Sequence, residues 1–285
     1  MSRLQVNGTE IAFDIAGTGP PVLLLHGFPQ TRAMWGAIAP RLARRFTVVT
    51  ADLRGYGDSA APQGPAACSF RAMGADQLAL MRELGFPRFH LVGHDRGART
   101  AHRMALDAPE AVASLALLDI VPTLVLLDRL SPQVARAYYH WFFLAQPAPF
   151  PETIIRHDPD AFFESCLAGW GGAGLSGFDD ARLAAYRAAW RRPDTIRAMC
   201  ADYRDTLDHD LALDKGDRHR KLSCPALVLW GEDGVMARAF DMAASWADSL
   251  SDMRARALPG GHFFPDEHPE TTAAALLDFL EDLPL

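Results

Sequence analysis

Short apolar runs alternate with helix-length amphipathic segments through the first 120 residues, and few folds accommodate such a pattern. The apolar runs lie at 21–26, 46–50, 89–92 and 115–118. Helical spacing of apolar residues occurs between them, at about 31–44, 70–85 and 97–108. Runs that are apolar throughout suit strands buried on both faces, and strand–helix alternation favours right-handed βαβ units. The sequence therefore predicts an α/β fold with a mostly parallel central sheet flanked by helices.

The alternation is interrupted by a long segment of different composition. Residues 122–220 contain no run typical of a buried parallel strand, and they are rich in aromatic residues with proline and glycine between them. This composition indicates a set of helices. Two further strands and a last helix are expected afterwards, at 226–230, near 254–258 and near 269–281. We therefore predict a core in two parts, 1–121 and 221–285, split by a helical cap at 122–220.

Composition excludes several kinds of partner. The chain carries 28 Lys and Arg against 35 Asp and Glu, a net charge of −7, with no basic tract to displace counterions from nucleic acid. No apolar run approaches the roughly 20 residues of a membrane span. The N-terminal segment lacks a signal-peptide core, so a cytoplasmic location is expected. Four widely spaced cysteines without a C-x-x-C pair predict neither a metal site nor a disulfide framework.

The strand predicted at 89–92 leads into Gly93-His94-Asp95-Arg96-Gly97, and a helix follows. This is the G-x-S-x-G nucleophile turn with aspartate in place of serine, which makes Asp95 the candidate nucleophile. A plain strand-to-helix turn with Asp95 as its cap is the alternative. A carboxylate that attacked an ester would give a reactive anhydride, so Asp95 is suited to displace a leaving group from sp³ carbon. Alkyl halides and epoxides are the substrates that this chemistry predicts, and a serine-type esterase is the least favoured function.

Loops that follow other predicted strands supply most of the expected partners of Asp95. Backbone N–H groups of Phe28, in a His-Gly loop after the first predicted strand, and of Arg96 are the expected oxyanion hole. His262, on a glycine-rich loop after the last strand, is the candidate base that activates water against an ester on Asp95. Asp119 and Asp233 each follow a predicted strand, and either could orient His262. Sequence spacing alone does not choose between them.

Two stretches carry a specific family resemblance: H-D-R-G-x-R, which begins at His94, and Y-H-W, which begins at Tyr139. With the His-Gly loop at 26–27 and the Gly-His loop at 261–262, the chain resembles the fluoroacetate (haloacetate) dehalogenases. The similarity extends over nearly the whole chain. It implies an α/β-hydrolase fold with an inserted helical cap, and hydrolysis of a short, anionic 2-haloacid to a 2-hydroxyacid and halide. It also implies that the reaction needs neither a metal nor an organic cofactor. The resemblance further implies that the protein forms a homodimer.

The resemblance further implies roles for two arginines and one aspartate. Arg96 and Arg99 lie three residues apart on the helix after the nucleophile, so they share a face. Their guanidinium groups are expected to hold the substrate carboxylate with paired hydrogen bonds, and to offset the negative net charge locally. The resemblance favours Asp119 over Asp233 as the partner of His262.

A third implied group is the halide site. His140, Trp141 and Tyr203 match the halide-binding residues of the family, and their N–H and O–H groups can converge on a small anion. The chain departs from some members at Ala137, where they have a basic residue, so a preference for chloro- or bromoacetate is an open alternative. Trp35 is expected either to line the pocket or to pack in the core.

Two other functions remain as alternatives at this point. An epoxide hydrolase would use the same Asp95 and His262, with two cap tyrosines taken from Tyr138, Tyr139, Tyr186 and Tyr203. A neutral epoxide, however, has no carboxylate for the paired arginines to bind. A non-catalytic receptor for a small acid is the second alternative, and the intact pair of Asp95 and His262 argues against it.

Overall fold

The computed structural model describes residues 1–281 and 283–285, and within them eight strands form one sheet. The strands are β1 (Ser2–Val6), β2 (Thr9–Ala16), β3 (Pro21–Leu25), β4 (Thr47–Ala51), β5 (Phe89–His94), β6 (Val112–Leu118), β7 (Ala226–Gly231) and β8 (Met253–Leu258). Their order across the sheet is β1-β2-β4-β3-β5-β6-β7-β8. The strands from β3 onward run parallel, whereas β2 pairs antiparallel with both β1 and β4. The predicted mostly parallel sheet is confirmed.

The helices fall into three groups along the chain. The first group is α1 (Ala39–Leu42), α2 (Phe70–Glu83) and α3 (Arg96–Asp107), preceded by a 3-10 helix at Arg32–Ala37. The inserted segment holds α4 (Thr123–Asp128), α5 (Pro132–Ala137), α6 (Tyr139–Leu144), α7 (Phe150–His157), α8 (Pro159–Trp170), α9 (Asp180–Trp190), α10 (Pro193–Asp205) and α11 (Leu211–Asp217). It also holds a 3-10 helix at Gly174–Gly177 and a π-helical turn at Thr206–Asp210. The last group is α12 (Val235–Ala239), α13 (Met242–Trp246), α14 (Phe264–Glu267) and α15 (Pro269–Leu280).

The central strands are buried along their whole length. Every residue of β3, β5 and β6 is buried, because helices cover both faces of the sheet. This burial explains why their sequences are apolar throughout rather than alternating. By contrast, the edge strands β1 and β8 are largely exposed. The carboxyl ends of the parallel strands meet at one edge, where the loops that carry the candidate site begin.

Two features differ from the expectation. The hairpin of β1 and β2 was not predicted, although its turn is Asn7-Gly8, with φ of 49° and 76°, a pair that favours this connection. The predicted helix at 31–44 is instead a 3-10 helix followed by the short α1. Gly36 and Pro40 account for the break, because glycine weakens a helix interior and proline is tolerated only in the first turn. In the described part of the chain, no helix is long and apolar enough to cross a bilayer.

Candidate active site

Asp95 lies at a sharp turn between β5 and α3. Its backbone has φ of 46° and ψ of −112°, a strained conformation for a residue with a side chain. The turn also needs the glycines on either side. A Cβ atom on Gly93 would lie 2.4 Å from the carbonyl oxygen of Gly97, and one on Gly97 would lie 2.4 Å from that of His26. The turn therefore holds the Asp95 side chain in one place, at the N-terminus of α3.

The two oxygens of the Asp95 carboxylate have different surroundings. Oδ1 accepts a hydrogen bond from the backbone N–H of Phe28 at 3.0 Å, and Oδ2 lies 3.9 Å from Nε2 of His262. Burial alone would raise the Asp95 pKa, but the electrostatic effects of His262, Arg96 and Arg99 outweigh burial and lower it to about 2. Asp95 is therefore an anion at neutral pH. The second expected donor, the N–H of Arg96, makes no hydrogen bond to Asp95 among the contacts of the described residues.

His262 is held between two carboxylates. Its Nδ1 contacts Oδ2 of Asp119 at 2.5 Å, which leaves Nε2 facing Asp95. Burial opposes a charge on the ring, but the hydrogen bond and the negative charge of Asp119 dominate and raise the His262 pKa above its usual value. The other oxygen of Asp119 accepts the N–H of Gly231 at 3.0 Å, so this carboxylate is itself fixed.

Asp119 and Asp233, the two candidates for the partner of His262, have different positions. Asp119 directly follows β6, is 1% exposed and has φ of 54°. Asp233 is exposed to solvent, and its backbone N–H pairs with Gly260. The geometry therefore joins Asp119, rather than Asp233, to His262.

Arg99 is a buried cation with no carboxylate partner among the described residues. Its Nη1 donates to the carbonyl of Val121 at 3.1 Å and to the hydroxyl of Thr123 at 3.0 Å. Its Nε is buried and makes no hydrogen bond to the described part of the chain. Burial lowers the Arg99 pKa to about 10, which still leaves the group charged at neutral pH. The Nε side of the guanidinium is thus the side that can take an anion.

Arg96 is placed differently from the expectation of two equivalent arginines. Its Nε and Nη2 donate to the carboxylate of Asp202 on α10, and Nη2 also donates to Thr206 at 2.5 Å. Only Nη1 is buried without a hydrogen-bond partner in the described residues. Arg96 can therefore offer one nitrogen to a second carboxylate, and a paired contact through its Nε is not possible.

The three residues expected to bind halide lie together on the cap helices α6 and α10. Nδ1 of His140, Nε1 of Trp141 and the hydroxyl of Tyr203 are buried, and none has a hydrogen-bond partner within the described ranges. The ring centre of Tyr203 lies 5.4 Å from that of His140 and 5.6 Å from that of Trp141. The ring of Phe28, whose N–H binds Asp95, lies 5.2 Å from Tyr203. Burial lowers the His140 pKa well below its usual value, so this ring is neutral.

These unpaired donors are informative because buried polar groups in proteins almost always have partners. Together with the free nitrogens of the two arginines, they form a set of donors with no matching acceptor in the described chain. Such a set suits a small anionic ligand. No three histidine, cysteine, aspartate or glutamate side chains of the described residues are grouped to hold a metal ion.

Sequence reasoning missed several residues that contact the site. Asp202 and Thr206 hold Arg96, and Thr123 holds Arg99. No motif marks these residues, although Asp202 directly precedes Tyr203, which is a predicted halide-binding residue. Trp35 is fully buried and lines a groove of about 630 Å³ between the 3-10 helix at Arg32–Ala37 and α9. None of the site residues lines that groove.

The chain is similar along nearly its whole length to proteins of known family. A family model described as alpha/beta hydrolase fold matches residues 20–269. A fluoroacetate dehalogenase from Burkholderia sp. is 55% identical over 98% of this chain and 93% of its own length. A soluble epoxide hydrolase from Corynebacterium sp. (strain C12) is 29% identical over 99% of this chain and 97% of its own length. A solved α/β-hydrolase structure from Nostoc sp. PCC 7120 is 46% identical, with a TM-score of 0.96 and coverage of 99% of this chain and 97% of that one.

Proposed function

We propose a reaction cycle for this chain, which belongs to the α/β-hydrolase family and, within it, to the fluoroacetate dehalogenases. The chain is a hydrolase that acts on carbon–halide bonds. We infer that its substrate is a short 2-haloacid such as haloacetate. One observation carries the cycle: the Asp95 carboxylate lies beside His262, and the residues predicted to bind the substrate and the halide carry buried donors that have no acceptor among the described residues.

In the first step, Asp95 displaces the halide. The free Nε side of Arg99 and Nη1 of Arg96 hold the substrate carboxylate and direct its α-carbon toward Oδ2 of Asp95. A lone pair of Oδ2 forms the new C–O bond while the carbon–halogen bond breaks and its electron pair leaves with the halide. Donors from His140, Trp141 and Tyr203 stabilise that halide. Hydrogen bonds to a charged group contribute roughly 1.5–3 kcal/mol each, and fluoride, a poor leaving group, depends on them most.

In the second step, water hydrolyses the ester on Asp95. Nε2 of His262 accepts a proton from the water, which attacks Cγ of Asp95, and the N–H of Phe28 stabilises the negative charge on Oδ1. The bond between Cγ and Oδ2 then breaks, and His262 returns the proton to the departing alkoxide. The 2-hydroxyacid carries away the former Oδ2, and Asp95 keeps an oxygen from water and loses the second proton of that water to solvent. Asp119 keeps Nε2 of His262 directed at Asp95 throughout.

A single-turnover reaction in heavy-oxygen water tests this cycle. With enzyme in excess over chloroacetate, the label is expected in Asp95 and not in the first glycolate formed. Peptide mass spectrometry locates the label. If glycolate carries it at once while Asp95 stays unlabelled, water has attacked the substrate directly and the cycle is wrong.

Trp141→Phe is expected to slow fluoroacetate more than bromoacetate. The variant keeps the packing of a buried aromatic ring but loses the indole N–H, and fluoride needs that hydrogen bond more than bromide does. We expect the kcat to fall by about 10–100-fold for fluoroacetate and by less than about 5-fold for bromoacetate. Trp190→Phe is the matched control, because Trp190 is also buried in the cap but its Nε1 donates to Asp160. Equal losses with both substrates would remove Trp141 from the halide site.

Asp119→Asn is expected to change both the rate and its pH dependence. In the wild type, activity falls with decreasing pH as His262 becomes protonated, at a pKa that Asp119 raises above the usual value. The variant loses that charge, so this acid limb moves to lower pH while the maximal kcat falls by about 10³-fold. Profiles of kcat against pH measure both effects. Asp233→Asn is the control and should retain the wild-type profile, and an unmoved limb in Asp119→Asn would contradict the pairing.

Epoxide hydrolysis fits the site less well. Tyr186 donates its hydroxyl to Asp266, and Tyr139 is 45% exposed, so neither is placed as a free donor over Asp95. The buried charge of Arg99, which has no carboxylate partner among the described residues, would also have none in a neutral epoxide. Absence of diol formation from simple epoxides, alongside halide release from haloacetate, is the expected outcome.

We further propose that the chain forms a homodimer. The cap helices expose three large apolar side chains, Tyr139, Phe150 and Ile154, at 45%, 55% and 50%. Such a surface supports association with a second copy. Sedimentation over a range of concentrations measures the assembly, and a monomer at all concentrations would contradict it. The cytoplasmic location stays a prediction.

A further inference from the structure

Arg96 directly follows Asp95 in the sequence, and its positive charge would inhibit the reaction if it paired with the Asp95 carboxylate. Both Arg96 and Asp95 are buried, where opposite charges attract strongly. A direct ion pair between them would occupy the attacking oxygen and lower its reactivity. Yet the structure contains no such pair, because Arg96 bonds to Asp202 instead.

We propose that Asp202 is a positioning residue that, with Thr206, holds the Nε and Nη2 side of Arg96 against the cap. Arg96 then offers Nη1 alone to the substrate and cannot pair with Asp95. This inference rests on the proposed function, in which Asp95 attacks the substrate carbon. Asp202 acts through Arg96 and does not itself touch the substrate.

The contacts of Asp202 fix Arg96 from several directions. Its Oδ2 accepts Nε of Arg96 at 3.0 Å and its Oδ1 accepts Nη2, while its backbone carbonyl also accepts Nη2 at 3.1 Å. Oδ2 further accepts the hydroxyl of Tyr56 at 2.6 Å, so the carboxylate is held from the core side as well. Both ionic side chains are 0% exposed. The pair therefore connects the cap to the helix that carries the nucleophile turn.

Aromatic rings fix the plane of the Arg96 guanidinium. Its central carbon lies 4.1 Å from the ring centre of Tyr203 and 4.4 Å from that of Phe70. Rotation of the group toward Asp95 would break these contacts and the hydrogen bonds to Asp202 together. Arg96 is therefore restrained by geometry as well as by charge.

The restraint gives the two arginines different tasks. Asp202 balances the charge of Arg96, whereas the contacts of Arg99, to Val121 and Thr123, are neutral. The uncompensated cation that faces the substrate carboxylate is thus Arg99. In the substrate complex Asp202 then balances Arg96 and the substrate carboxylate balances Arg99, so neither buried arginine is left without an opposite charge.

Asp202→Asn tests this inference through the rate of ester formation on Asp95. The experiment uses the His262→Asn background, in which the ester accumulates, and follows it by mass spectrometry at saturating chloroacetate. Release of Arg96 toward Asp95 is expected to slow ester formation by about 100-fold. The KM for chloroacetate in the otherwise wild-type enzyme should stay within about 3-fold, because Arg99 still binds the carboxylate. A role limited to folding of the cap would instead raise the KM, and an unchanged rate of ester formation would overturn the proposal.

Two further variants keep the test decisive. In an Arg96→Gln background, Asp202→Asn should produce no additional slowing of ester formation, and an undiminished effect there would show that Asp202 does not act through Arg96. Thr206→Val removes one acceptor of Nη2 and keeps the charge of Asp202, so it is expected to slow ester formation by about 3–10-fold if the asparagine variant does not fold. A wild-type rate in Thr206→Val would also count against the proposal. Failure of the wild type to place heavy oxygen from water in Asp95 during a single turnover would instead refute the proposed function itself.

Discussion

Asp95→Asn is expected to reduce halide release by more than about 10⁴-fold, because an amide cannot replace the carboxylate as the attacking group. The Asp95 pKa of about 2 keeps the wild-type side chain fully ionised at neutral pH, so the variant loses the nucleophile outright. The amide oxygen of asparagine can still accept the N–H of Phe28, which should preserve the turn and the fold. Chloride release from chloroacetate measures the loss.

The matched control for this variant is Asp278→Asn, since Asp278 is exposed on α15 and should be silent. Calorimetric titration with chloroacetate should show that Asp95→Asn still binds the substrate through the arginines. Substantial turnover by purified Asp95→Asn would mean that another group attacks the carbon. If the wild type binds chloroacetate but does not turn it over, the result would instead favour a non-catalytic receptor for a small acid.

His262→Asn is expected to stop the cycle after its first half. Asp95 remains anionic because Arg96 and Arg99 still lower its pKa, so the ester forms, but no base activates water against it. We expect one equivalent of halide per chain in a burst, followed by a steady-state rate lower by about 10⁴-fold. With haloacetate, the chain mass should increase by about 58 Da, which is a carboxymethyl group in place of a proton.

The control for the base is His157→Asn, because His157 is exposed on α7 and far in sequence from the site loops. It should turn over normally without accumulating an ester. A His262→Asn enzyme that turns over at the wild-type rate would remove His262 from the second step. A variant with neither burst nor turnover would show that His262 already acts when the halide leaves.

The local sequence predicts Asp95 and His262, but it does not predict the residues that hold the arginines of the site. Asp95 and His262 are recognisable because a strained turn and a glycine-rich loop leave local signatures. The choice between Asp119 and Asp233 needed distances, since both follow strands of the same sheet. Asp202 reaches Arg96 across 106 positions of sequence, and only the packing of the cap on the core creates that contact.

For the fold as well, elements with a strong local sequence pattern were predictable and elements without one were not. Apolar runs predicted the buried strands β3 to β7 because burial on both faces leaves a strong pattern. The hairpin of β1 and β2 lies at the edge of the sheet and lacks such a run, so its signal was confined to the turn at Asn7 and Gly8. The 3-10 helix at Arg32–Ala37 has nearly the periodicity of an α-helix over so few residues, which is why sequence spacing did not distinguish them.

The two edges of the sheet restrict how copies of this chain can associate. At one edge, β8 exposes Arg254 and Arg256, and at the other, β1 exposes Arg3. Charged side chains on an edge strand oppose the addition of a further strand from another molecule, and two β8 strands placed side by side would bring their arginines together. A continuous intermolecular sheet is thus disfavoured, which protects a concentrated preparation from the aggregation to which open sheets are prone. Contacts between copies are left to helical surfaces.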